Sequence, residues 1–452
     1  MDTSIFKAYD IRGIYPDQLN EDIAYKIGNA YVNFIKPPGK VAVGMDVRKS
    51  SPQIKEAVIS GITDAGANVV DIGEVSTEEF YFSVGNYGLG GGLMVTASHN
   101  PAEYNGFKMV RDEAKPISGD NGILEIRDLV VSGEVVKVEQ KGTVEQKSVG
   151  RDFAKFALKF IDPQKIKPTK LVFNPNFGFE GRVLECVKEA GSLPLDLVPL
   201  NDQPNGNFPK GRPDPVLPEN RPELIELVKS SNADLGVAWD ADADRVFFCT
   251  DDGTFVEPYF LNAVLIGRIL DKNPGSKIIY DPRYTWALVD AAKEHGGEAV
   301  LERVGHSFIK EAMRRENAIF SGESSGHTYF RDFWYADTGI IPLLVVLEML
   351  SEEGKKLSEI LAPLWQKYFI SGEINFEAAN HEEIFQALKN DYASGEINEI
   401  DGISVEFSNW RFNVRGSNTE PKLRLNLEAK SNELMQQKRD ELVSKIKSLG
   451  KN

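Results

Sequence analysis

The chain has 452 residues, 41% of them hydrophobic and 27% charged, with a formal net charge of −16. That length exceeds a single core and, at about 100–200 residues per domain, predicts three or four domains. The acidic balance excludes a nucleic-acid binder, which needs a basic face to displace counterions, so any anionic ligand must be met by a local basic cluster. The two cysteines, Cys186 and Cys249, exclude a disulfide framework and read as buried free thiols of a reducing compartment. No signal-peptide apolar core and no run of about 18 apolar residues is found, so neither export nor a membrane partner is expected, and a cytoplasmic location is.

In chain order, three segments share one pattern of Lys, a short apolar run and a polar turn. They are Lys40–Asp46, Lys170–Pro175 and Lys277–Pro282. Each precedes a helix-like stretch (Ser51–Ala65, Gly181–Ala190 and Thr285–His295) and then a second apolar run (Val69–Ile72, Leu195–Val198 and Ala299–Leu301). Three βαβ units predict three related α/β domains in tandem, with parallel or mixed sheets covered on both faces. The apolar stretch Ile340–Leu350, interrupted by Pro342 and Glu348, reads as a core helix. Strict alternation over Leu423–Ala429 predicts a half-exposed antiparallel strand, and the stripe over Asn432–Leu449 predicts a helix, so the last domain is α+β.

Four loops carry candidate chemistry. After the apolar run Leu93–Val95, Thr96–Pro101 reads as a tight turn holding Ser98 out at its tip. No Gly-x-Ser-x-Gly elbow surrounds Ser98, so a serine that carries and passes on phosphate fits better than an acyl-transfer nucleophile. Asp240, Asp242 and Asp244 alternate with alanines before Arg245. In an extended loop these carboxylates face one way and repel unless a cation sits among them, and all-oxygen ligation favours Mg²⁺. Arg245 takes the place of the glycine that an EF-hand requires at its sixth position. Gly322–His327 offers Glu323, Ser325 and His327 for sugar hydroxyls. Arg415–Glu420 is read as a turn between strands, in which Arg415 supplies a planar fork and Ser417, Asn418 and Thr419 supply donors for a phosphate. Among single residues, Lys108 and His306 are acid/base candidates, while Arg12 and Arg48, in turns near strands, are placed to reach a phosphate. The glycines of Gly88–Gly92 lack dinucleotide-site spacing.

Jointly, these motifs resemble the α-D-phosphohexomutase superfamily and, within it, the phosphomannomutase/phosphoglucomutase group. Phe6–Gly13 is similar to the opening signature, Thr96–Pro101 to the phosphoserine loop, Asp240–Asp244 to the metal loop, Gly322–His327 to the sugar-binding loop and Arg415–Thr419 to the phosphate-binding loop. Asn205–Pro209 and Pro213–Pro215 also look familial, with no chemistry assigned. The resemblance implies four domains around a central cleft, divided as 1–150, 151–253, 254–366 and 367–452. It implies a phosphohexomutase moving phosphate between O1 and O6 of mannose first and glucose second. Phospho-Ser98 would be the carrier, through a hexose 1,6-bisphosphate that also serves as activator. Catalytic roles fall on Ser98, Lys108, His306, Arg12 and Arg245. Substrate contacts fall on Glu323, Ser325, His327, Arg283, Arg415, Ser417, Asn418 and Thr419, and Mg²⁺ on Asp240, Asp242, Asp244 and Ser98. The implied partner is a phosphosugar, bound by a monomer or homodimer.

Three departures bear on substrate preference. Arg283 stands where many dual-specificity members have lysine, Ser324 replaces a common Met, and Asn174–Gly178 lacks the usual Gly-Asn-Gly form. A phosphoglucosamine or N-acetylglucosamine-phosphate mutase and a non-catalytic sugar-phosphate binder stay open as alternatives.

Overall fold

Three times along the chain a strand, a helix and a second parallel strand are followed by another helix and a third strand, which returns to the other side of the first. The computed structural model describes residues 1–377, 380–416 and 422–450. In the first repeat, strand Val41–Met45 pairs in parallel with Val69–Glu74 on one side and Gly91–Val95 on the other. In the second, Thr169–Asn174 lies in parallel between Leu195–Pro199 and Leu235–Trp239. In the third, Lys277–Tyr280 lies in parallel beside Glu298–Leu301 and Phe320–Gly322. The loops Thr96–Pro101, Asp240–Asp244 and Glu323–His327 each leave the carboxyl end of the third strand of their repeat. That end, next to a change in strand order, is where open α/β sheets place their ligands.

The chain divides into two compact units, Met1–Glu257 with Ser325–Ser358, and Pro258–Ser324 with Glu359–Asn452. The first unit holds a six-stranded sheet extended by Ile11–Ile14, Tyr104–Arg111 and Val144–Gln146, and a five-stranded sheet completed by antiparallel Val246–Thr250 and Phe255–Val256. It also holds the hairpin Thr328–Phe330/Ala336–Asp337 and the helix Ile340–Glu353. Pro342 is tolerated there because it lies in the first turn, where backbone N–H groups have no helical acceptor. The start of that helix is capped by Glu78, whose Oε2 accepts from the backbone N–H groups of Gly339 at 2.8 Å and Ile340 at 3.1 Å.

The second unit carries the parallel strands of the third repeat and an antiparallel sheet ordered Phe369–Ile370, Lys422–Ala429, Trp410–Gly416, Ile403–Glu406 and Glu396–Asn398. Leu423, Leu425 and Leu427 face a core shared with helix Asn432–Leu449. The opposite face of Lys422–Ala429 is not half-exposed as the alternation predicts. Asn426 and Glu428 are buried, the first accepted into a hydrogen bond by the Tyr284 hydroxyl and the second accepting from Tyr259 and the Thr285 backbone. Polar residues alternate there because they bind across to the third repeat, not because they meet water. No helix among the described residues is long and apolar enough to cross a membrane.

A buried carboxylate in the first unit gives a pH prediction. Helix Thr77–Asn86 opens with a capping box in which Glu79 Oε2 accepts from the Ser76 N–H at 2.9 Å. Burial pushes the Glu79 carboxyl up to about 7, against the Ser76 hydrogen bonds. The folded chain therefore keeps a proton that the unfolded chain releases near the ordinary value of 4.5. This contribution to stability is complete below that value and is lost as pH rises through about 7, a decline of up to about 3 kcal/mol. Melting curves at about pH 5 and about pH 8 should show Glu79→Gln gaining on the wild type at the higher pH. A gap that does not change with pH would contradict this account.

Candidate active site

Thr96 begins the turn after Gly91–Val95. Its Oγ1 accepts from the Ser98 N–H at 2.9 Å and donates to Asp242 Oδ2 at 3.1 Å. Ser98 takes φ +48°, in the left-handed region that a non-glycine residue rarely occupies. Its Oγ donates to Asp240 Oδ2 at 2.9 Å and lies 3.0 Å from His99 Nδ1. The expectation of a serine held out at a loop tip is corrected: Ser98 is only 1% exposed, because the aspartate loop packs over it.

That aspartate loop is not extended either. Ala243 N–H donates to Asp240 C=O at 3.1 Å, and Ala243 has φ +62°, so residues 240–244 form a turn. The turn still brings carboxylate oxygens of Asp240, Asp242 and Asp244 within 4.8 Å of one another, all buried. Lys108 enters from the neighbouring strand, opposite Met94. Its Nζ donates to Asp242 Oδ2 at 2.7 Å and also to Asp244. Thr77 Oγ1 adds a third donor to Asp242 Oδ2 at 2.8 Å.

Burial pushes Asp240 well above the usual carboxylate range, and the charges of Asp244 and Asp242 push the same way. Burial acts likewise on Asp244, but Lys108 and His327 outweigh it and hold that carboxyl well below its usual range. Desolvation opposes the charge on Lys108, yet Asp242 and Asp244 prevail and raise its pKa. Asp242 and Asp244 thus share one ammonium, while Asp242 Oδ1 and Asp244 Oδ1 have no hydrogen-bond partner among the described residues. Hard, orphaned oxygens of this kind fit a small dication such as Mg²⁺.

Around this centre, the Arg245 N–H donates to Asp240 Oδ1 at 3.2 Å, and its Nε lies 3.3 Å from His327 Nε2. His327 lies 3.5 Å from Asp244 Oδ2, and Ser325 Oγ is 2.9 Å from its Nδ1. Arg12 reaches the serine loop through Asn100 Oδ1 at 2.6 Å and is held by Asp10 at 2.7 Å. Burial drives His99 well below the usual imidazole value, with Arg245 and Arg12 adding to the effect, so its ring is neutral. Arg48 is corrected. It is buried with every N–H engaged by the protein, so it does not reach a phosphate.

The second unit contains the other predicted residues. Arg283 is held by Asp281 through Nε at 2.9 Å and Nη2 at 2.7 Å, and its Nη2 also meets Glu323 Oε1 at 3.1 Å. Arg415 lies in the strand Trp410–Gly416 rather than in the turn. Its Nη2 donates to Glu373 at 3.1 Å. Burial lowers its pKa and the neighbouring Arg283 adds to this, as two guanidinium groups of one cluster would. His306 opens the helix His306–Glu316 after Gly305, whose φ of +138° favours glycine. Ser417, Asn418 and Thr419 lie outside the described residues.

Sequence reasoning missed Thr77, a lone polar residue with no local signal, and gave no role to Asp10 and Asn100, although they lie inside the Phe6–Gly13 and Thr96–Pro101 motifs. It also left Asp214 unassigned, although Pro213-Asp214-Pro215 flagged it. Asp214 is buried, 4.0 Å from both Arg245 Nη1 and His99 Nε2.

Four family descriptions match the chain in order: phosphoglucomutase/phosphomannomutase alpha/beta/alpha domain I over residues 3–134, domain II over 151–253, domain III over 257–368, and the C-terminal domain over 373–445. A phosphomannomutase of Escherichia coli is 44% identical over 98% of this chain and 99% of its own. A protein of Xanthomonas campestris pv. campestris described as phosphohexose mutases is 43% identical over 98% of each. A phosphoglucomutase/phosphomannomutase family protein from Burkholderia thailandensis superimposes with a TM-score of 0.90 at 32% identity, over 99% of this chain and 98% of that one. The chain therefore belongs to the phosphoglucomutase/phosphomannomutase family, whose members catalyse intramolecular phosphoryl transfer.

Proposed function

We propose that this phosphohexomutase interconverts mannose 1-phosphate and mannose 6-phosphate, with the glucose phosphates as second substrates, and that phospho-Ser98 is the donor. One observation carries the reading: Ser98 Oγ is hydrogen-bonded to Asp240, one of three clustered buried carboxylates of which the other two, Asp242 and Asp244, hold Lys108. The P–O bond to Ser98 breaks as a new one forms to the free sugar hydroxyl. His306 takes that hydroxyl's proton, and Lys108 returns one to Ser98 Oγ. The bisphosphate turns round and gives its other phosphoryl back to Ser98, with the proton moves reversed. Arg12 and Arg245 flank the moving phosphoryl, His327, Ser325 and Glu323 take sugar hydroxyls, and Arg283 and Arg415 hold the phosphate that does not react. Asp240, Asp242 and Asp244, with a phosphoryl oxygen on Ser98, would hold Mg²⁺, which when bound neutralises charge on the transferring group. Free hexose 1,6-bisphosphate would act as activator by phosphorylating an empty Ser98. The acting form is read as a cytoplasmic monomer or homodimer.

A coupled assay over mannose, glucose and glucosamine 1-phosphates tests this reading, with mannose expected to give the highest kcat/KM. Faster turnover of glucosamine phosphate would reassign the substrate, and ligand binding with no turnover would overturn the enzymatic role.

The metal site gives a separate prediction. Asp242→Asn removes one carboxylate charge while keeping an oxygen, and hard cations depend on carboxylate count. Titration of the apoprotein with Mn²⁺, followed by paramagnetic resonance, should show binding weakened by about tenfold or more. Affinity unchanged from wild type would remove Asp242 from the ligand set.

A further inference from the structure

The motif Asn205–Pro209, to which the sequence assigned no chemistry, packs onto the residue that holds the serine loop in shape. That residue is Arg48. Its Nη2 donates to the carbonyls of Ser98 at 2.6 Å and Asn100 at 2.7 Å, and its Nη1 to those of Pro101 at 2.5 Å and Tyr104 at 3.0 Å. Its Nε is taken by Asp46 at 3.0 Å, so all five N–H donors are spent. One guanidinium therefore ties together four carbonyls of the segment that begins at the phosphate carrier.

The flat face of this guanidinium is covered by the Phe208 ring, whose centroid lies 5.0 Å from Arg48 Cζ. Phe208 is buried and sits at φ +46°, a conformation costly for an aromatic residue unless its surroundings impose it. Its loop presses directly on the Arg48 backbone: a Cβ on Gly206 would lie 2.3 Å from the Val47 carbonyl and 2.8 Å from Arg48 Cα. Farther along the same loop, Arg212 Nε donates to the His99 carbonyl at 3.1 Å, and Asp214 faces the His99 ring at 4.0 Å. The second α/β repeat thus grips the serine loop of the first at two points.

We propose that the segment Asn205–Asp214 is a clamp on the phosphoserine loop, with Phe208 its principal positioning residue acting through Arg48. The inference rests on Ser98 being the phosphoryl carrier. Phe208 keeps water from the guanidinium face, so the four carbonyl contacts hold and Ser98 stays aimed at Asp240. Without the ring, water competes for those donors and the loop samples misaligned positions, which slows transfer but leaves the sugar-binding residues intact.

The test compares Phe208→Ala, Phe208→Leu and Phe208→Tyr by rapid-quench transfer of labelled phosphoryl from Ser98 and by steady-state kinetics. Phe208→Ala and Phe208→Leu should slow transfer about 10- to 100-fold, the range expected for a misplacement of about 1 Å, with KM unchanged within about twofold. Phe208→Tyr keeps the aromatic face and should restore the rate to within about threefold of wild type. If leucine rescues as well as tyrosine, the ring only fills space and the clamp is refuted. Transfer at the wild-type rate in both Phe208→Ala and Phe208→Leu, or a raised KM at unchanged kcat, refutes it as well. Should Phe208→Ala not fold, the leucine–tyrosine comparison decides alone. Wild-type protein that turns over hexose phosphate without labelling Ser98 would instead sink the carrier reading, a distinct outcome.

Discussion

Ser98→Ala is expected to lower mutase turnover by at least about a thousandfold while leaving the protein folded. The reaction as proposed needs an oxygen that can both lose and regain a phosphoryl group, and alanine offers none. Substrate binding by the other loops is untouched, so KM should change far less than kcat. The fold loses the two hydrogen bonds of Ser98 Oγ, to Asp240 Oδ2 at 2.9 Å and with His99 Nδ1 at 3.0 Å, together worth about 2–4 kcal/mol. The left-handed conformation of residue 98 adds no new strain, since alanine and serine meet the same backbone limits. Two measurements check the prediction together. Intact mass after incubation with glucose 1,6-bisphosphate should show one added phosphoryl on the wild type and none on the variant. Coupled turnover should fall in parallel. A variant that turns over within about tenfold of wild type would remove Ser98 from the reaction.

The elements of this fold were largely legible because each rests on local periodicity. Strands Val41–Met45, Thr169–Asn174 and Lys277–Tyr280, their following helices, and the helix Asn432–Leu449 stand where the apolar patterns predict. The repetition of a third strand before three of the four motif loops was not legible, since Gly91–Val95, Leu235–Trp239 and Phe320–Gly322 share a position in the sheet rather than a sequence pattern. The same division runs through the site. The residue types of Asp240, Asp242 and Asp244 announce a cation, whereas their convergence depends on the left-handed turn at Ala243. Ser98 looked exposed because a polar hexapeptide reads as surface, and only the packing of a loop from the second sheet buries it. Arg48 failed as a phosphate ligand for a related reason. Whether an arginine faces solvent or four backbone carbonyls is decided by chain segments some fifty residues away, about which its own neighbours are silent.

Arg415→Ala should reduce kcat/KM by about 30- to 1,000-fold, the range for losing a charge-assisted contact of about 2–4 kcal/mol. Arg415 is the penultimate residue of the strand Trp410–Gly416 and pairs in register with Arg424, so two guanidinium side chains leave neighbouring positions of one sheet. Glu373 accepts from both, at 3.1 Å from Arg415 and 3.2 Å from Arg424. A carboxylate bridging two guanidinium groups occupies the role that a phosphate of the substrate would take over. The buried Nε of Arg415 has no acceptor among the described residues, and a phosphate brings the extra oxygen that a single carboxylate does not. In the proposed reaction the contact would be the same whichever end of the bisphosphate is held, so its loss would act on both half-reactions. It would also free the intermediate while it turns. Labelled hexose 1-phosphate turned over by Arg415→Ala should therefore release more 1,6-bisphosphate per product than wild type. Arg415→Lys keeps the charge but loses the fork and should fall between the two. Unchanged kcat/KM together with bisphosphate release no greater than wild type would mean that Arg415 serves the sheet through Glu373 and does not hold the phosphate.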